Sequence, residues 1–181
     1  MIEQFSSALE DYKFAAELAG DSATYHTDLA DAYQFLGRWQ DAARSYQRAV
    51  AIDNKYARAY QNAAWLMATC PDKEMRNPSL ALAAARKAID LEGEKSSATL
   101  DTLAAATATS GRHTEAVEIL REAMQLAQDE TEREELSQRL HLYEQGAEYR
   151  QPQPLQSALA KRQAIQPMSD PAIRTASTPS R

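Results

Sequence analysis

The stretch "AARSYQRAVAI", residues 42–52, carries Ala42, Tyr46, Ala49 and Ile52 at steps of four, three and three residues. That spacing puts them on one face of an α-helix. The same face is written 34 residues earlier in "ALEDYKFAAEL", where Ala8, Tyr12, Ala15 and Leu18 occupy the matching places. It returns as Ala81, Ala85, Ala88 and Leu91, and again as Ala116, Leu120, Ala123 and Leu126. The successive intervals are 34, 39 and 35 residues, so the chain reads as an array of similar helical units.

Between these helices lies a second kind. "TYHTDLADAYQFLGRW" has Leu29, Ala30 and Tyr33 before Gly37, "ARAYQNAAWLMATC" has Ala63, Ala64 and Met67, and "ATLDTLAAATATSGRH" has Leu100, Leu103 and Ala104 before Gly111. Each unit is therefore helix, turn, helix, with glycine making the turn in the first and third. Ala30, Ala64 and Ala104 stand opposite Ala42, Ala81 and Ala116. Side chains of that size let paired helices approach closely. Leu29, Tyr33, Tyr46, Ala49, Ala88, Leu103, Leu120 and Ala123 complete the packing positions.

In the middle unit the turn is five residues longer, "CPDKEMRN", and holds Cys70, the single cysteine. Chemistry at Cys70 would need a base or a second ligand, and His26, His113 and His141 fall in different units. As structure the stretch is simple: Pro71 stops one helix, and Asn77 caps the next with Pro78 at its first position. The structural reading is preferred. The chain has no glycine-rich phosphate loop, G-x-S-x-G or H-E-x-x-H, so no catalytic, cofactor or metal residues are nominated.

These patterns resemble the tetratricopeptide repeat family, whose 34-residue signature runs W-x2-L-G-x2-Y, then A-x3-F, then P. His26, Leu29, Ala30, Tyr33, Ala42, Tyr46 and Asn54 stand in those places in the first full unit, so its tryptophan and proline positions depart. The strings "AAWLMATCPD" and "LDTLAAATATSGR" also resemble terminal units of large bacterial multi-domain proteins, some with Ser/Thr kinase domains. The resemblance implies an all-α solenoid with a half repeat at 1–22 and units at 23–56, 57–96 and 97–130, while the residues that follow read as a capping helix at 131–146 and a disordered, basic, Pro/Ser/Thr-rich tail at 147–181. Within the cap, Thr131 and Glu134 form the expected capping box, Leu136, Leu140 and Tyr143 the inward stripe, and Gly146 the stop.

Residue 1 falls in the middle of a unit, which leaves two readings: an N-terminal cap, or the C-terminal piece of something longer. The second is favoured, with Phe5, Leu9 and Tyr12 as exposed remnants of the missing contact. The net charge of −6 divides into +4 for residues 150–181 and −10 for the rest, since Arg150, Lys161, Arg162, Arg174 and Arg181 face Asp170 alone. An acidic body argues against nucleic acid. No signal peptide or membrane span is legible, which makes a cytoplasmic protein the default.

By the resemblance, the first helices line a concave groove that holds a peptide or helix of a partner. Its lining would be Thr27, Asp28, Asp31, Gln34 and Phe35, then Arg58, Gln61, Asn62 and Trp65, then Asp101 and Thr102. Trp65 is either an aromatic anchor or a residue buried between repeats. Lysines that would clamp a peptide carboxylate are missing, and the three carboxylates suit a neutral or basic segment bound at micromolar strength, about −8 kcal/mol. Two functions compete: an interaction scaffold, and a regulatory module of a larger protein whose basic tail or neighbouring domain fills the groove.

Overall fold

The computed structural model describes residues 2–152, with side chains from Leu9 onward. The expected tail beyond residue 152 lies outside the described residues. Among those described, eight α-helices and one 3-10 turn follow each other with no strand: α1 (Ile2–Leu18), α2 (Ala23–Phe35), α3 (Trp39–Ile52), α4 (Ala57–Thr69), the turn Lys73–Met75, α5 (Pro78–Glu92), α6 (Ser97–Thr109), α7 (His113–Leu126) and α8 (Glu130–Glu144). The helices α2 and α3, α4 and α5, and α6 and α7 pack as hairpins. The first helices α2, α4 and α6 also lie side by side, forming one inner face.

The hairpins close on alanine. Ala30, Ala42, Ala64, Ala81, Ala104 and Ala116 are each fully buried. Ala30 and Ala42 share a cluster with Tyr46, Leu66 and Cys70, while Ala64 and Ala81 share one with Ala105 and Ala106. Large side chains fill the space around these crossings, as Tyr46 and Leu66 do between the first and second units and Leu100 and Leu120 do in the third.

Caps follow a repeat rule of their own. The first helices α2 and α6 begin on a side-chain cap, where Ser22 accepts from the Tyr25 amide and Ser96 exchanges bonds with Thr99 in a capping box, whereas α4 starts at Tyr56 without one. The second helices α3 and α7 instead start after Gly37 and Gly111, both at positive φ (72° and 83°), with no side-chain cap bond. There an arginine at the helix start pairs with an acid in the first turn, Arg38 with Asp41 at 2.5 Å and Arg112 with Glu115 at 2.9 Å. The acid also meets the positive end of the helix dipole. The middle unit lacks this glycine and starts α5 on Asn77, whose side chain accepts from the Leu80 amide, with Pro78 in the first turn.

Two sequence expectations are corrected. The cap of α8 is Asp129, which accepts from the Glu132 amide; Glu132 reaches back to the Gln128 amide and to the Ser97 hydroxyl. Asp129 and Glu132 hold the same spacing as Thr131 and Glu134 one turn-fraction earlier, and the helix takes the earlier pair. Leu9 is not an exposed remnant but is buried against Ala16 and Leu29. Among the described side chains, Tyr12, Phe14 and Leu18 are the large apolar residues that α1 exposes, and Phe5 lies outside them.

Enlarging a hairpin alanine should therefore cost more than enlarging a surface one. Ala64→Leu is expected to destabilise by about 1–3 kcal/mol through overpacking, whereas Ala51→Leu, on the exposed side of α3, should stay within about 0.5 kcal/mol. Urea unfolding followed by circular dichroism checks both.

Candidate functional site

Asp31 is the hub of the N-terminal half of the inner face. Its carboxylate accepts from the Tyr46 hydroxyl at 2.5 Å, from Arg58 Nη2 at 2.6 Å and from Asn62 Nδ2 at 2.8 Å. Arg58 Nη1 also meets Asp28 at 2.8 Å. Tyr46 has its ring in the core and its hydroxyl on this network, where it also reaches Gln34. Burial, followed by the neighbouring Asp31 carboxylate, pushes its pKa well up and keeps it a donor. The pairs are partly solvated, so each contributes little to stability. Their effect is on charge, because one guanidinium balances one of the two carboxylates.

The C-terminal half is more enclosed. Asp101 and Arg139 are 8% and 9% exposed, and Arg139 Nε meets Asp101 Oδ1 at 2.9 Å. Held this way, the Arg139 guanidinium sits 5.7 Å from the Trp65 ring centre and 5.3 Å from that of Tyr149. The two rings are 5.7 Å apart and tilted by 41°. Cation–π contacts of this kind favour a desolvated guanidinium.

Tyr149 belongs to a segment that the sequence joins to the tail. After α8, Gly146 takes a positive φ of 69° and the Ala147 amide donates back to the Leu142 carbonyl, which turns the chain toward the inner face. Arg150 Nη1 then donates to the Ala68 carbonyl at 3.2 Å and to Thr109 Oγ1 at 3.4 Å, and the Gln151 amide donates to the Thr69 carbonyl at 3.0 Å. The Gln151 side chain accepts from Gln34. A three-residue stretch thus crosses α4, with contacts on α2 and α6. No local pattern announces it, since each contact spans tens of residues; the charge contrast between body and tail is the nearest signal.

The structure gathers Asp28, Asp31, Gln34, Arg58 and Asn62 at one site, and Trp65 and Asp101 at the other. Gln61 is half-buried and Phe35 is 50% exposed. Thr27 and Thr102 are buried with their hydroxyls bonded to the carbonyls of Ala23 and Ala98, so they present nothing to a ligand. A separate concavity of about 430 Å³ opens between α3 and α5 over α4, walled by apolar residues such as Val50, Tyr60, Met67 and Leu80. It holds none of the nominated groove residues.

The long turn caps α4. Arg76 Nη1 donates to the carbonyls of Cys70 and Pro71 at 2.8 and 3.1 Å, and the Asn77 amide donates to the Met67 carbonyl. These are the acceptors a helix C-terminus leaves unpaired. Cys70 itself is fully buried, and burial pushes its thiol pKa up. Among the described residues no group of three His, Cys, Asp or Glu is placed to hold a metal ion, and no helix is long and apolar enough to cross a membrane.

Two measurements follow from these environments. Burial pushes the Asp101 carboxyl up to about 6 against the pull of Arg139, with Glu135 and Glu132 adding to the rise. A raised acid stabilises the fold below its ordinary value near 4 and loses that contribution as pH climbs to about 6. Asp101→Asn should accordingly gain up to about 2 kcal/mol relative to the parent between pH 4 and pH 7, read from urea unfolding at each pH. Cys70 should react with a thiol reagent orders of magnitude more slowly in the native protein than in urea, because the thiolate is the reactive form.

No curated protein matches the sequence. The sequence profile of the tetratricopeptide repeat family matches residues 26–72. Among solved structures, the fold is similar to the MamA protein (TM-score 0.55, 22% identity, 74% of this chain and 67% of that one). It is also similar to YrrB, described as a TPR protein with an unusual peptide-binding site (TM-score 0.58, 20% identity, 75% and 67%). A second MamA structure covers 88% of this chain and 91% of its own at TM-score 0.57 and 17% identity. Residues 26–72 thus carry a tetratricopeptide repeat, and the chain built around them has the α-solenoid fold of that family.

Proposed function

We propose that this chain is a non-catalytic interaction scaffold whose inner face holds a peptide or helical segment of a protein partner. The observation that carries this reading is the seat of residues 149–151: the face accommodates a non-helical segment through a main-chain hydrogen bond, a cation on a carbonyl and a hydroxyl oxygen and an aromatic contact. Extended-peptide recognition uses that combination of backbone bonding and side-chain pockets. The likeness to YrrB, itself described as having a peptide-binding site, supports it. Partner segments of neutral or basic character suit the face, since Asp28 and Asp31 share one guanidinium and keep a net negative charge.

A second reading draws on the same segment: the chain is a regulatory module of a larger protein, and residues beyond α8 or a neighbouring domain fill the groove until displaced. Deleting residues 150–181 would then strengthen partner binding, and an unchanged affinity would reject it.

Peptides selected by display on the full chain test the scaffold reading. Trp65→Ala should weaken their binding at least tenfold in titration calorimetry, with helicity kept. Equal binding to parent and variant would move the site off the inner face.

A further inference from the structure

Resting on the scaffold reading above, we propose that the inner face selects segments in which an aromatic residue is followed directly by a cationic one, and that Tyr149-Arg150 is the chain's internal occupant of that site. Two adjacent subsites carry this. The first is the slot alongside the Trp65 ring and the Arg139 guanidinium, which meet each other and both meet Tyr149. Asp101 fixes Arg139 from behind, so the slot is built before any ligand enters. An aromatic face is the group that can meet both a ring and a cation.

The second subsite is the C-terminal end of α4. The Thr109 hydroxyl donates to the Ala68 carbonyl at 3.0 Å, which leaves both oxygens as acceptors turned toward the Arg150 guanidinium. A helix C-terminus carries partial negative charge and favours a cation. One residue further on, the Thr69 carbonyl takes the Gln151 amide, a contact any residue except proline can make. Selectivity therefore rests on two consecutive side chains, with the backbone bond setting their register.

The internal segment fits imperfectly. Gln151 Nε2 and the Tyr143 hydroxyl are buried and meet no hydrogen-bond partner among the described residues, and Arg150 also pairs with Glu148, two residues earlier in the chain. Unpaired buried polar groups weaken the closed arrangement, so an external segment that satisfies them can displace the internal one. Tethering still gives the internal copy an effective concentration of about millimolar order, which suppresses binding in trans.

The test uses the full chain with Tyr149→Ala and Arg150→Ala, and a fluorescein-labelled peptide of residues 147–154, AEYRQPQP, read by fluorescence anisotropy. The variant should bind the peptide at least tenfold more tightly than the parent. Peptides carrying Tyr149→Ala or Arg150→Glu should lose at least tenfold on the same variant. Gln151→Pro, which removes the donor to Thr69 and the side-chain bond with Gln34 while keeping Tyr149 and Arg150, is a second variant should the first lose helicity; it should raise peptide affinity several-fold. The proposal is overturned if neither variant gains affinity, or if the altered peptides bind as well as the original. Display-selected peptides that need Trp65 but lack the aromatic-basic pair would overturn this ligand class and leave the scaffold reading standing; failure of every peptide at the inner face would remove both.

Discussion

Close approach of paired helices is the constraint on which the molecule depends. Methyl groups at Ala30 and Ala42, Ala64 and Ala81, Ala104 and Ala116 set how near the helices of each hairpin come. The hairpin angle then decides which residues of α2, α4 and α6 can share a face. With so little side chain at the crossings, the larger residues are spent between units, as Tyr46 and Leu66 are. Tyr46 also shows how packing passes into the site: its ring belongs to the core and its hydroxyl to the Asp31 network. Packing and polar lining are thus one arrangement seen from two sides.

The inner face is organised as two ion-paired sites rather than one acidic trough, the first with one carboxylate in excess and the second balanced. In the open half, Arg58 bridges two carboxylates from the neighbouring helix. In the enclosed half, Asp101 and Arg139 bury each other, and the guanidinium then serves as a wall for aromatic rings. A buried carboxylate without a partner would be costly, so Arg139 and Asp101 have to be placed together. This joins α8 to the repeat before it by a polar contact as well as by Leu136 and Tyr143.

Much of the architecture was legible because it depends on local spacing. Helix faces, the small residues at the crossings, the turns at Gly37 and Gly111 and the start of α5 at Asn77-Pro78 each follow from a few neighbouring residues. The site was legible only in part. Positions within a repeat told which residues lie on first helices, but not that Thr27 and Thr102 turn inward or that Arg58 lies between Asp28 and Asp31. Arg139 sits in "TEREELSQRL", which reads as a solvated helix, and its burial is decided by an aspartate 38 residues away. The stretch 149–151 has no periodicity to read, and the partners that hold it are supplied by α2, α4 and α6.

The distribution of burial along the array gives it a mechanical direction. Ten of the thirteen residues of α6 are buried, whereas α1 leaves Phe14 and Leu18 largely in water. In a linear stack each unit is steadied only by its neighbours, so α6, with more buried residues than α2 or α4, acts as the keystone of the described helices. A segment laid across α2, α4 and α6 splices the more exposed helices to the buried one, and occupancy of the groove becomes a way of stiffening the described array.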